Sequence, residues 1–151
     1  MTNSLAILYV EDEETDVLLF RQALIRAGLP NPLHIAADGA EAIDYLAGNG
    51  PFADRHEHPL PALVLLDLNL PKKSGFAVLS WIRQQPQFSS LPVVIYTSSV
   101  ALLDKETAQL LGATELFVKR SEVPKIAELA RILAERWLTP SASHDGEPAA
   151  D

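Results

Sequence analysis

Short apolar runs alternate with longer amphipathic stretches along the chain. Each run is too short for a buried helix and is rich in the aliphatic and aromatic residues that favour strands. The runs that predict β-strands are residues 5–10, 33–36, 63–66, 92–96 and 115–118. Because they are almost continuously apolar, these strands are expected to be covered on both faces.

The stretches that follow the runs carry apolar residues at helical spacing, which predicts one amphipathic helix after each strand. Glycines at 28, 48 and 112 are predicted to end three of these helices. Strands that alternate with helices indicate βαβ units. The sequence therefore predicts an α/β fold, a doubly wound five-stranded parallel sheet with helices on both faces. The predicted inward residues of the first two helices are Val17, Phe20, Leu24 and Ala27, then Ala42, Ile43, Leu46 and Ala47.

Composition narrows the class of protein. The chain has 151 residues, enough for one domain, and 48% of them are hydrophobic, enough for a packed core. A net charge of −8 argues against direct nucleic-acid binding, which needs clustered Lys and Arg. No run approaches the length of a membrane span, and MTNS does not resemble a signal peptide, so a cytoplasmic protein is expected. We predict a domain at 1–138 and a polar, disordered tail at 139–151.

Residues with reactive chemistry follow four of the five predicted strands. They are Glu11 and Asp12, then Asp67, then Thr97, then Lys119. The carboxyl ends of parallel strands meet at one edge of the sheet, where such folds bind ligands. Three carboxylates brought together there repel one another unless a cation lies among them, and oxygen ligands suit Mg²⁺.

One carboxylate of this group is a candidate for covalent chemistry. Asp67 ends the most apolar strand, and aspartate carboxylates form aspartyl phosphates. A phosphoryl group on Asp67 would add negative charge, which Lys119 would balance and the Thr97 hydroxyl would hydrogen-bond. The sequence thus predicts Asp67 as a phosphoryl acceptor.

This set of residues resembles the response-regulator receiver domain of two-component signalling. The matching motifs are Glu11-Asp12, the segment DLNLP at 67–71 with Gly75 beyond it, Thr97 and Lys119. The resemblance covers about residues 5–137. The segments LLDLNLPKKSGF and ERWLTP resemble, more narrowly, the stand-alone regulators associated with phytochromes.

The resemblance implies a role for each matching residue. Asp67 would accept the phosphoryl group and would also be one of the residues of the Mg²⁺ site. Asp12 and the main-chain carbonyl of Asn69 would ligate the metal, with Glu11 nearby or acting through water. Lys119 would pair with the phosphoryl group. Thr97, the remaining member of the set, would swing inward to bind it.

The resemblance also implies partners. A sensor histidine kinase, for which a bacteriophytochrome is the first candidate, would donate the phosphoryl group. Output would pass through contacts with a downstream protein or a phosphotransfer protein, and Trp137 is a candidate for burial in a homodimer. Such a protein is not an enzyme in the ordinary sense, although it catalyses its own phosphorylation and dephosphorylation.

Two positions depart from the family pattern. Leu116 stands where the family usually has an aromatic residue coupled to the threonine, and Phe117 is predicted on the other sheet face. Arg120 replaces the proline that commonly follows the lysine, so a trans peptide bond is expected there. The usual readout of phosphorylation is therefore in question, whereas Asp67 and Lys119 are unaffected.

Three other functions fit the sequence less well. A phosphorylation-independent interaction module with this fold is the main alternative, and Leu116 favours it. A flavodoxin-like cofactor binder would need a Ser/Thr/Gly-rich phosphate loop, but the first strand is followed by EDEE. A phosphohydrolase with an Asp nucleophile would usually carry a second Asp two residues later, where this chain has Asn69.

Overall fold

The computed structural model describes residues 5–139. One parallel five-stranded sheet, with strand order β2-β1-β3-β4-β5, separates two layers of helices. The strands are β1 (Ile7–Val10), β2 (Leu33–Ala36), β3 (Leu63–Leu66), β4 (Val93–Thr97) and β5 (Glu115–Val118). The helices are α1 (Glu14–Arg26), α2 (Gly39–Ala47), α3 (Gly75–Gln84), α4 (Leu102–Leu110) and α5 (Val123–Trp137). The predicted fold class is confirmed.

The central strands are the most apolar ones. Every residue of β1, β3 and β4 is buried, whereas the edge strand β5 is only half-buried. Three strand boundaries differ from the sequence prediction. β1 begins at Ile7 rather than at residue 5, and β4 spans Val93–Thr97 rather than 92–96. Thr97 is therefore the last residue of a strand, and its backbone pairs with Val118 of β5.

Each face of the sheet carries its own hydrophobic core. The first core joins one face to α2, α3 and α4, and the second joins the other face to α1 and α5. Alternation along β5 sends Leu116 to the first core and Phe117 to the second, as predicted. The two cores hold the helices in place, so that the loops after the strands are anchored at both ends.

The inward face of α2 differs from the prediction. Ala42 and Leu46 are buried, but Ile43 is only half-buried and Ala47 is exposed. Tyr45 takes the interior position instead, because its hydroxyl donates to the carbonyl of Pro59 at 2.9 Å. A buried tyrosine needs such an acceptor, and the spacing of apolar residues does not reveal one.

The polar loop between α2 and β3 is held by one arginine. The Arg55 guanidinium donates to the carbonyls of Tyr45 and Leu46 at 2.8 Å each, at the carboxyl end of α2. It also donates to the carbonyl of His58 at 3.2 Å. These bonds satisfy helix carbonyls that would otherwise lack donors. Across residues 5–139, no helix is long and apolar enough to cross a membrane.

Candidate functional site

The predicted residues meet at the carboxyl edge of the sheet. Glu11 and Asp12 follow β1, Asp67 follows β3, and Lys119 follows β5. One carboxylate oxygen from each of Glu11, Asp12 and Asp67 lies within 4.8 Å of the other two. We call these three residues the acidic triad. It forms because β1 and β3 are adjacent in the sheet and end at the same level.

Asp67 is held through both of its carboxylate oxygens. Its Oδ1 accepts the backbone N–H of Asn69 at 3.2 Å, and its Oδ2 accepts a hydrogen bond from Lys119 Nζ at 2.9 Å. Gly75, the first residue of α3, lies against the Asp67 backbone so closely that a β-carbon there would collide with the Asp67 carbonyl. The strand, the turn and α3 thus fix the direction of the carboxylate.

Lys119 contacts three carboxylates. Its Nζ lies 2.6 Å from Glu11 Oε1, 2.8 Å from Asp16 Oδ2 and 2.9 Å from Asp67 Oδ2. Burial alone would lower the pKa of Lys119, but its bonds to Asp16, Glu11 and Asp67 raise that pKa above its ordinary value. The ammonium is therefore charged at any pH at which the fold is expected to work.

Glu11 is the most deeply buried carboxylate of the site, with 1% of its surface exposed. Its Oε2 accepts the backbone N–H of Glu13 at 3.1 Å, and its Oε1 accepts the Tyr9 hydroxyl at 3.4 Å. Burial raises the pKa of Glu11 to about 7, even though the Lys119 ammonium lowers it. Ionising this buried carboxylate therefore costs free energy, and a nearby cation would reduce that cost.

Thr97 lies at the same edge, and within residues 5–139 no hydrogen bond joins its side chain to the triad. Its side chain is fully buried, and its Oγ1 accepts the backbone N–H of Ser99 at 3.4 Å. A pocket of about 420 Å³ opens above the triad. The pocket is lined by Asp12, Glu13, Asp16, Asp67, Asn69, Ser98, Lys119, Arg120 and Ser121. The predicted inward movement of Thr97 remains a prediction.

Sequence reasoning missed two members of the site. Asp16 lies in the first turn of α1 and contacts Lys119, and Tyr9 reaches Glu11 from inside β1. Asp16 gives only a weak signal, its place in the acidic segment EDEETD at 11–16, because its partner Lys119 is 103 residues away. Tyr9 gives no such signal, because an aromatic residue in a buried strand is ordinarily read as core.

The donor set suits a hard divalent cation. All three triad residues offer carboxylate oxygens, and within residues 5–139 no histidine or cysteine joins the group. Counting Asp16, the site holds four carboxylates, and the Lys119 ammonium contacts three of them, so carboxylates outnumber the ammonium. Asp12 is exposed while Glu11 and Asp67 are buried, which gives a cation an open approach from solvent.

Comparison with known families decides what this arrangement is. Residues 7–131 match the family described as the response regulator receiver domain. The chain belongs to this family. The match spans all five strands and reaches into α5, so the receiver domain accounts for nearly the whole described fold.

Known receiver domains of the phytochrome-linked class are similar to this chain. Response regulator Rcp1 of Synechocystis sp. is 41% identical over 93 residues, which span 62% of this chain and 61% of Rcp1. The phosphorylated cyanobacterial phytochrome response regulator RcpA has a TM-score of 0.82 and 31% identity, covering 91% of this chain and 96% of RcpA. The Mn²⁺-bound form of Rcp1 has a TM-score of 0.77 and 32% identity, covering 89% and 94% respectively.

The two departures from the family pattern take defined positions. No cis peptide bond occurs between residues 5 and 139, so the bond before Arg120 is trans, as predicted. The Arg120 backbone N–H donates to the hydroxyl of Tyr96 at 3.4 Å. Tyr96 is buried and stacks near Tyr9 and Phe20 in the second core. An aromatic side chain thus adjoins the lysine loop from the face opposite Leu116.

Proposed function

We propose that this receiver domain accepts a phosphoryl group on Asp67 in a reaction that depends on Mg²⁺. The observation that carries the proposal is the geometry of Asp67. One oxygen is bound by a backbone N–H, the other by the Lys119 ammonium, and the carboxylate faces the open pocket. A carboxylate held in this way is oriented for attack on a phosphorus atom.

The covalent step transfers one phosphoryl group from a phosphohistidine. A carboxylate oxygen of Asp67 attacks phosphorus, a P–O bond forms, and the P–N bond to the donor breaks. The electron pair of the broken bond stays on the imidazole nitrogen. Lys119 balances the charge that collects on the phosphoryl oxygens, and Thr97 is the predicted hydroxyl donor to the same group.

The acidic triad would hold the Mg²⁺. Asp12 and Asp67 are the proposed carboxylate ligands, the Asn69 carbonyl is the proposed main-chain ligand, and Glu11 supports the site from inside. When bound, the ion supplies positive charge beside the phosphoryl oxygens. The Mn²⁺-bound form of Rcp1 supports a divalent cation in this fold. The negative charge of the four clustered carboxylates supports it independently.

The proposed donor is a sensor histidine kinase, and a bacteriophytochrome is the first candidate. The name of RcpA supports this assignment, since RcpA is described as a cyanobacterial phytochrome response regulator. Output would pass through a downstream protein or a phosphotransfer protein. We place the protein in the cytoplasm as part of the same proposal, because such kinases present their phosphohistidine there.

The test is the intact mass of the protein after incubation with acetyl phosphate. Wild type should gain one phosphoryl group with Mg²⁺ and none with EDTA, and Asp67→Asn should gain none in either buffer. Asp44→Asn is the matched control, since it removes an exposed carboxylate of α2 far from the triad. Equal gain in wild type and Asp67→Asn would remove Asp67 from this role.

A folded wild type that gains no phosphoryl group would favour the alternative function. That function is an interaction module that works without phosphorylation, and Leu116 is the residue that favours it. The same sample should then be offered a phosphorylated histidine kinase. Failure with both donors would reject the proposed acceptor role.

The proposed homodimer has a separate test. Exposed leucines of α4, with Leu110 87% exposed, provide apolar surface beside β5. Trp137 is half-buried against the second core, and the Arg136 guanidinium lies 5.8 Å from its ring centre. Trp137→Ala should shift sedimentation toward monomer, and an unchanged dimer would place the interface elsewhere.

The predicted domain ends near buried Leu138, and tail residues 140–151 lie outside the described structure.

A further inference from the structure

Asp16 differs from the other carboxylates that contact Lys119. Glu11 and Asp67 belong to the acidic triad, whereas Asp16 does not. Within residues 5–139, it is the one carboxylate that pairs with Lys119 from outside the triad. Asp16 therefore offers the lysine an anchor that does not depend on the metal site.

The backbone holds Asp16 in a fixed place. It lies in the first turn of α1, and Phe20, one turn later, is fully buried in the second core. The Asp16 Oδ2 atom is 2.8 Å from Lys119 Nζ, across 103 residues of sequence. Because α1 is packed against α5 and the sheet, this carboxylate approaches the ammonium from a rigid element.

A cation in the triad would change the forces on Lys119. Without metal, Glu11 and Asp67 attract the ammonium. With a divalent cation beside them, their charge is shared with the metal, and the metal itself repels the ammonium. The attraction of Asp16 is reduced least, because its carboxylate is outside the triad.

We propose that Asp16 is a positioning residue that keeps the Lys119 ammonium beside Asp67 while a divalent cation occupies the triad. The inference rests on the proposed function and deepens it. Asp16 does not touch the reacting atoms, and it acts through Lys119. Without Asp16, the bound cation would push the Lys119 ammonium away from Asp67, and the ammonium would have to return for each phosphoryl transfer.

The first experiment observes Lys119 directly by NMR of the lysine ¹⁵NH₃⁺ groups. The chain has five lysines, and Lys119→Arg identifies the signal. A buried, hydrogen-bonded ammonium exchanges its protons slowly and gives a visible signal. In wild type the Lys119 signal should persist with and without Mg²⁺. In Asp16→Asn it should persist with EDTA and be lost with saturating Mg²⁺.

Two results would overturn the proposal. A Lys119 signal that survives Mg²⁺ equally in Asp16→Asn and wild type would show that Asp16 is not needed. The wild-type signals should remain visible but shift when Mg²⁺ binds, and a spectrum in which none shifts would show that no cation occupies the triad. Asp44→Asn serves again as the control and should behave as wild type.

The second experiment measures phosphoryl uptake at saturating Mg²⁺ and acetyl phosphate. Losing one charge-assisted hydrogen bond to Lys119 should lower the maximal rate in Asp16→Asn about tenfold. Asp16→Glu should recover part of the rate, because it restores the carboxylate on a longer side chain. Equal maximal rates in Asp16→Asn and wild type would reject the positioning role. If wild type takes up no phosphoryl group from either acetyl phosphate or a phosphorylated histidine kinase, the proposed function fails, and the NMR result still decides whether Asp16 holds Lys119.

Discussion

Arg83 and Lys119 are both cations that join distant parts of the chain, but they contact different acceptors. Arg83 donates to the carbonyls of Phe88, Leu91 and Gly112 at 3.0, 2.8 and 2.9 Å. Lys119 contacts three carboxylates instead. The Arg83 contacts are therefore complete as they stand, whereas the carboxylates around Lys119 outnumber it and leave negative charge for another cation to balance.

This difference separates a cation that holds loops together from one that lies in the candidate site. The carbonyls around Arg83 are neutral backbone groups in the segments between α3 and β5. They cannot gain or lose a proton, and they leave no negative charge for a second cation. The carboxylates around Lys119 have an open pocket beside them. Burial of a charged side chain is thus a poor guide to function by itself, and the identity of its acceptors is a better one.

The largest predicted effect comes from removing each cation in turn. Arg83→Met leaves three carbonyls without their donors and should lower the free energy of unfolding by about 3 kcal/mol. Lys119→Met leaves buried carboxylates unpaired and should cost about as much in metal-free protein. Urea unfolding in EDTA measures both losses.

Magnesium should separate these two variants. Mg²⁺ replaces positive charge lost from the triad, so it should restore most of the stability of Lys119→Met. It should leave the loss in Arg83→Met unchanged relative to wild type, because that cation lies outside the site. An equal response of the two variants to Mg²⁺ would contradict the distinction drawn between them.

A smaller effect is expected from two glycines, one against the backbone of Asp67 and the other against the side chain of Arg83. A β-carbon at Gly75 would meet the backbone of Asp67 and Leu68, which cannot move aside, so Gly75→Ala should cost about 2 kcal/mol. A β-carbon at Gly112 would meet the flexible Arg83 side chain, although its φ of +100° also disfavours alanine. Thermal unfolding measures both costs.

Function should distinguish the same two glycine variants. Gly75→Ala shifts the backbone that carries Asp67 and should slow phosphoryl uptake from acetyl phosphate several-fold. Gly112→Ala should leave the uptake rate per folded molecule unchanged. A slower rate in Gly112→Ala would show that the Arg83 region is coupled to the triad.

Most of the fold was predictable, because buried parallel strands are nearly continuous apolar runs and helices follow a different period. The errors occurred where a polar atom decides burial. Tyr45 is interior, where its hydroxyl donates to the Pro59 carbonyl, whereas Ala47, two residues later, is exposed. Spacing of apolar residues carries no information about such a partner.

The residues of the candidate site likewise include some that the sequence predicts and others that it does not. Glu11, Asp12, Asp67 and Lys119 were predictable because each directly follows a strand, and parallel topology brings strand ends together. Asp16 was not predicted, because it lies inside a helix and its partner is 103 residues away. Only the packing of α1 against the sheet shows that the two side chains meet.

The last prediction concerns Glu11 and is seen as a pH dependence of the stability. Burial raises the pKa of Glu11 to about 7 from 4.5. The folded metal-free protein then holds a proton that the unfolded chain releases, so this residue's contribution is full below pH 4.5 and is lost as pH rises to 7. Glu11→Gln keeps an oxygen for Lys119 and should remove that part of the pH dependence.

The measurement is the free energy of unfolding between pH 5 and 8 in EDTA, for wild type and Glu11→Gln. The wild-type curve should fall relative to the variant up to about pH 7 and run parallel above it. Curves that stay parallel over the whole range would contradict the raised pKa. Arg83 offers no counterpart to this effect, because its carbonyl acceptors have no proton to release, and the contrast between the two cations therefore extends to their response to pH.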